Sequence, residues 1–223
     1  MPPILIIVII IAIATLAIVA YQHDQKRRRL LKAWAHSKGL VVHDRTQRGW
    51  EKEFPAFKIF NRGHSRRSSL HLEGEIDGRR LRALDYRFTT GSGKNQQRHR
   101  RSMVFLDTGT PVIPLHIRPE HIFDKVGEFF GHEDIDFESY EFSKRFHVSS
   151  PDRKWAYDVI HQGTMDYLLE APSVHIEFGF NEIVVYKNGA LTGEFCQECL
   201  KVARRMLDLI PDNVLTQPRG DSH

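Results

Sequence analysis

Ile4 to Tyr21 is a run of eighteen uncharged, almost wholly apolar residues, followed at once by Gln22-His23-Asp24-Gln25-Lys26-Arg27-Arg28-Arg29. As a helix rising about 1.5 Å per residue, such a run just crosses a hydrocarbon core of roughly 30 Å. It predicts a single N-terminal membrane span at residues 4–21, continued by a basic juxtamembrane helix at 22–39. The cations on its C-terminal flank, against only the terminal amine before Ile4, predict that residues 1–3 are exported and the rest stays in the cytosol, at the plasma membrane. A cleavable secretory signal is the rival reading, because Ile18-Val19-Ala20 is a tolerable cleavage tripeptide. Against it stand the missing positive n-region, an apolar run beyond the usual span of about 7 to 15 residues, and a basic block on the side that resists export.

Beyond the span about 200 residues remain, enough for one large domain or two small ones with a genuine core. The net charge of +4 conceals an asymmetry: Gln22 to Arg118 holds 22 Lys/Arg against 9 Asp/Glu, or +13, and Pro119 to His223 holds 10 against 19, or −9. The basic half adjoins the span, so it can lie against an anionic leaflet; equally, the two halves can neutralise each other across an interface. Cys196 and Cys199 are the chain's two cysteines, which argues against a disulfide-built extracellular scaffold and agrees with a reducing compartment.

From Leu40 to Pro119 the sequence alternates in short runs, predicting strands at Leu40–His43, Phe54–Phe60, Leu70–Ile76, Arg80–Thr89, Met103–Leu106 and Ile113–Ile117. Asp77-Gly78 supplies residues that accept positive φ for a hairpin between the third and fourth. Helix returns at Glu120–Phe130, then strand at Phe142–Val148. Ser150 and Pro151 read as the cap and first residue of a helical stretch reaching Leu169, interrupted near Gly163. Strands at Val174–Phe180 and Ile183–Tyr186 precede a last helix at Gly193–Leu209 and a polar, frayed tail from residue 211. The sum is an α+β domain over residues 40–210, its strands mostly antiparallel, with three or four helices; a division into a basic part (40–118) and an acidic one (119–210) is the alternative.

Motifs that carry chemistry are scarce. Gly91-Ser92-Gly93-Lys94 lacks the first glycine, the hydroxyl residue and the helix of a phosphate loop, because Phe88, Asn95 and a strand stand there. Thr89 to Arg101 reads instead as a long solvated hairpin loop. Cys196-Gln197-Glu198-Cys199 has the spacing of a redox dithiol or half a zinc site. Yet Phe195, Cys196, Cys199, Ala203, Met206, Leu207 and Ile210 form one apolar stripe, which buries both thiols. The thirteen histidines occur singly, without a two-imidazole metal spacing, and no G-x-S-x-G elbow is present. The acidic run Glu133, Asp134, Asp136, Glu138 lacks the glycine and final glutamate of a calcium loop. No catalytic residue, metal ligand or cofactor is therefore assigned.

The candidate binding feature is cationic: Lys26, Arg27, Arg28, Arg29, Arg66, Arg67, Arg79, Arg80, Arg82, Lys94, Arg98, Arg100 and Arg101. Such a cluster attracts lipid headgroups, nucleic acid or acidic proteins alike. Nucleic acid is disfavoured because no aromatic stacking platform is interleaved with the cations.

Leu31-Lys32-Ala33-Trp34-Ala35 with Lys38-Gly39-Leu40, then Leu84-Asp85-Tyr86-Arg87-Phe88, and Phe142 to Ala156 around Phe146-His147-Val148-Ser149-Ser150-Pro151-Asp152 resemble a family of uncharacterised bacterial membrane-anchored proteins. The likeness covers residues 30–210 in strand and cap patterns. It implies a plasma-membrane protein with a cytosolic α+β domain and supplies no activity. The expected function is a membrane-tethered interaction or scaffold domain that presents a basic face to anionic phospholipid headgroups or to a protein partner. An enzyme or small-molecule-binding domain with a dispersed site is the alternative.

Overall fold

The computed structural model describes residues 3–120 and 134–216. The helix expected at Glu120–Phe130 lies, from residue 121 on, outside the described residues. The apolar run and the basic block belong to one uninterrupted helix, α1 (Pro3–Ser37), of 35 residues, or about 52 Å. It ends in a Schellman motif: Leu40 N–H donates to Ala35 O (2.9 Å) and Gly39 N–H to His36 O (3.1 Å). Gly39 sits at φ 70°, where a β-carbon is disfavoured.

Six strands form one antiparallel sheet: β1 (Val41–His43), β2 (His64–Ile76), β3 (Arg79–Thr90), β4 (Gln97–Pro119), β5 (Phe146–Ser149) and β6 (His175–Asn188). They run in the order β1-β2-β3-β4-β5, with β6 also on β4. Asp77 (φ 51°) and Gly78 (φ 74°) make the tight β2–β3 turn expected of an Asp-Gly pair. With α2 (Trp50–Glu53), α3 (Tyr140–Arg145), α4 (Arg153–Val159), α5 (Gln162–Glu170), α6 (Gly193–Leu209) and α7 (Asp212–Thr216), the described residues hold seven helices, several of one or two turns. The chain is thus α+β with an antiparallel sheet.

The pleat sorts two cores. Leu81, Ala83, Val104, Leu106, Ile183 and Val185 face one side, where α1 and α6 pack. Leu84, Tyr86, Phe88, Met103, Phe105, Val184 and Tyr186 face the other, under Trp50, Phe54, Phe57, Ile59 and Phe60.

Several expectations are corrected. Phe54–Phe60 is not a strand but the end of α2 and a 3-10 turn (Lys58–Asn61); Trp50, Phe54, Phe57 and Phe60 recur every three or four residues, which is helical spacing. Met103–Leu106 and Ile113–Ile117 belong to the single bent strand β4, whose register slips between Asp107 and Val112 opposite β6. Val174–Phe180 and Ile183–Tyr186 likewise merge in β6 around Phe180, whose φ of 55° marks the irregularity. Phe142–Arg145 is helical, capped by Ser139, and only Phe146 onward is strand. Helix α4 begins at Arg153 because the Asp152 carboxylate caps it, accepting from Trp155 N (3.0 Å). Ser150 instead donates to Pro114 O (2.8 Å). The hairpin loop expected over Thr89–Arg101 is a short turn, since β3 runs to Thr90 and β4 starts at Gln97. Of the tail expected to fray from residue 211, Asp212–Thr216 form α7, with Val214 buried, and residues 217–223 lie outside the described residues.

Candidate functional site

The C-terminal half of α1 is locked to the sheet by charge. Burial disfavours an ionised Asp24, but hydrogen bonds from Arg28 (2.9 Å) and Arg27 (2.9 and 3.0 Å) outweigh it and lower the carboxyl to about 2. Arg27, itself buried, donates to Leu191 O and reaches Asp85 Oδ2 at 3.2 Å. Asp85 on β3 is fully buried and also takes a bidentate pair from Arg100 on β4, its Nε at 2.7 Å. Arg28 and Lys32 then grip Asp44 after β1, at 2.7 and 2.6 Å. Apolar contacts complete the lock: Leu31 and Ala35 are buried, and a β-carbon on Gly193 of α6 would meet Trp34 Cγ at 2.6 Å.

These contacts fix the direction of the helix along the sheet. Asp24 lies beside Asp85 and Arg100, whereas Leu40, just past the helix, packs on Gly74. Travelling back along α1 toward its apolar run is therefore travelling along β3 toward Thr90, away from the Asp77-Gly78 turn. The β3–β4 turn at residues 91–96 therefore lies on the apolar-run side of the lock.

The thirteen candidate cations separate accordingly. Arg27, Arg28 and Arg100 belong to the lock, and Arg82 pairs with Glu53 and with Glu182 (2.6 Å). Arg66, Arg67, Lys94, Arg98 and Arg101 gather at the sheet end that α1 points toward; Arg67, Lys94 and Arg98 are exposed, Arg66 holds Phe60 O (2.8 Å) and Arg101 lies over the Phe88 ring. Lys26 and Arg29 are exposed on α1 itself. Arg79 and Arg80 sit at the opposite sheet end, against Asp107.

Other sequence candidates resolve differently. Both cysteines are fully buried on α6, and burial pushes the Cys196 thiol up to about 12, far from a reactive thiolate. Gly93–Asn95 forms a 3-10 turn between two strands, without a phosphate-cradling helix. From the acidic run, Asp134 lies 2.5 Å from His147 Nδ1, Asp136 and Glu138 are exposed, and Glu133 is outside the described residues. Among the described residues, His43, His71 and Glu73 converge closely enough to share a cation, as do Glu120, Asp134 and His147.

A second constellation escaped the sequence reading. Glu177 on β6 is 3% exposed between Ile176 and Phe178. Tyr186 Oη donates to its Oε1 (2.6 Å), the Lys58 backbone N–H donates to Oε2 (3.2 Å), and His116 Nε2 stands 3.4 Å from Oε1. Burial raises its carboxyl to about 7 against the lowering pull of those hydrogen bonds, and burial drives His116 well below its ordinary value. Glu177 opens on a cleft of about 210 Å³, lined also by Lys58, His116 and Ser149. The sequence clue was a carboxylate inside the strand His175-Ile176-Glu177-Phe178.

No family model matches the chain, and no curated protein matches it. A solved structure does: the crystal structure of the mycobacterial trehalose monomycolate transport factor A, TtfA, superposes with a TM-score of 0.60. The match covers 86% of this chain and 97% of that one, at 15% sequence identity. The likeness is one of fold. Among the described residues, α1 is the one helix long and apolar enough to cross a membrane.

Proposed function

We propose that this chain is a membrane-tethered docking domain, anchored by residues 4–21, that rests the basic end of its sheet on anionic lipid and offers its remaining surface to a membrane-protein partner. The observation that carries this reading is the Arg27–Asp85 lock, which leaves no flexible linker between span and domain. The headgroup layer extends about 5 to 7 Å from the hydrocarbon core toward the domain, and the β3–β4 turn, on the apolar-run side of the lock, is the part of the sheet that meets it. Each cation near an anionic surface contributes about 1 kcal/mol, and Arg67, Lys94 and Arg98 are exposed there. The arginine block favours a cytosolic domain. TtfA is named as a transport factor, and its fold suggests a transport assembly as the partner.

Hydrogen exchange on the full-length chain in nanodiscs tests the lipid contact. Residues 91–96 should be protected on anionic but not on neutral lipid at low salt, and a Arg67→Ala, Lys94→Ala, Arg98→Ala variant should lose that protection. Equal exchange on both lipids would remove the lipid contact. The Glu177 cleft favours a second reading, in which the domain also senses a small molecule.

A further inference from the structure

The cleft beside Glu177 is formed where β4, β5 and β6 meet the turn at Lys58. Three features are not explained by folding alone. Glu177 is a fully buried carboxylate in a place where an apolar residue would cost nothing, and such groups persist where they have work to perform. Ser149, 3% exposed, lines the same cleft, and its Oγ has no hydrogen-bond partner among the described residues; a buried hydroxyl left so is costly unless something arrives to meet it. Apart from His116 and Lys58, which brings the one cationic side chain, the rest of the lining is apolar, from Ala56, Pro114, Leu115, Pro151 and Phe178.

We propose that this cleft binds a small carboxylate monoanion carrying a short apolar tail, and that Glu177 takes up one proton from solution as the anion enters. The anion's charge would meet Lys58 and its oxygens the Ser149 hydroxyl, while its tail lies on the Leu115 and Phe178 side. A dianion such as sulfate fits less well, since one lysine leaves the second charge uncompensated in a mostly apolar wall. An ionised Glu177 would repel the incoming anion, whereas protonated Glu177 donates a hydrogen bond instead.

The groups that face Glu177 agree with that sign. From the turn come Lys58 and, at longer range, Arg62; from β6 come Tyr186 and His175; from β4 come His116 and, around it, Arg118; from β5 comes His147. Apart from Tyr186 these are cations or imidazoles, so the cleft's surroundings favour an anion. His116 remains neutral through the physiological range because burial opposes its charging. The reading is independent of lipid docking.

The test uses the full-length chain in detergent micelles with propionate as the probe, following the Glu177 side-chain carboxyl by 13C NMR, assigned through Glu177→Gln. Propionate should bind the wild type more weakly by about tenfold for each pH unit above about 7, because only the protonated fraction is competent. Glu177→Gln, which mimics the protonated state, should bind equally at about pH 6 and about pH 8. Ser149→Ala and Lys58→Ala should each weaken binding severalfold at both values, and sulfate should not compete. Absence of saturable propionate binding, a pH dependence that survives in Glu177→Gln, or wild-type affinity in both Ser149→Ala and Lys58→Ala would overturn the proposal. If only the rim variant Lys58→Ala folds, its affinity decides alone.

Discussion

Arg27 and Asp85 meet at 3.2 Å across 58 residues of sequence, with side chains 7% and 0% exposed. One belongs to the helix that carries the apolar run, the other to the middle of the sheet. An ion pair so placed is stabilised by its partners, here Arg100 on the carboxylate and Asp24 on the guanidinium, more than by Coulomb attraction alone.

Asp85→Asn should therefore lower stability by about 3 to 5 kcal/mol, because two guanidiniums lose their buried counter-charge. Asp44→Asn, whose carboxylate is more than a third exposed, should cost less than about 1 kcal/mol. Urea unfolding of the full-length chain in micelles, followed by tryptophan fluorescence, compares the two.

Gly193→Ala should destabilise by about 1 to 3 kcal/mol, since its new methyl meets Trp34 Cγ at 2.6 Å and the seam between α1 and α6 has to open. The same unfolding experiment reads it.

Glu177 predicts how stability depends on pH. The native state holds this proton up to about 7, while the unfolded chain releases it near 4.5. Between those values the native state binds more protons, so stability falls as pH rises. Glu177→Gln should match the wild type near the acidic end of that window and exceed it at about pH 8 by on the order of 3 kcal/mol. Equal stability of the two proteins at both ends would contradict this.

Cys196 and Cys199 should resist alkylation by iodoacetamide in the native state and react only after denaturation, because both thiols are buried and held protonated. Mass spectrometry before and after urea reads this directly.

What could be read from the sequence was local. The stripe from Phe195 to Ile210 placed α6 and both thiols, and Asp77-Gly78 placed the hairpin, because periodicity and turn chemistry act over a few residues. Trp50, Phe54, Phe57 and Phe60 misled because an aromatic-rich run resembles a strand until its spacing is counted. Thr108 to Pro111 and Asn181 read as breaks because a bulged strand bends without ending. The lock and the Glu177 cleft were illegible for a different reason. Asp24, Arg27, Asp85 and Arg100, or Lys58, His116, Ser149 and Glu177, are ordinary charged or polar residues until the sheet brings them together.

The most direct test measures the depth of two spin labels in anionic nanodiscs, one at Lys94→Cys and one at Glu75→Cys, with Cys196 and Cys199 too buried to label. These positions lie near opposite ends of a strand pair about 36 Å long. A rigid junction predicts the label at 94 among the headgroups and the label at 75 in bulk water. Equal water accessibility at both positions would contradict the fixed attachment of span to domain.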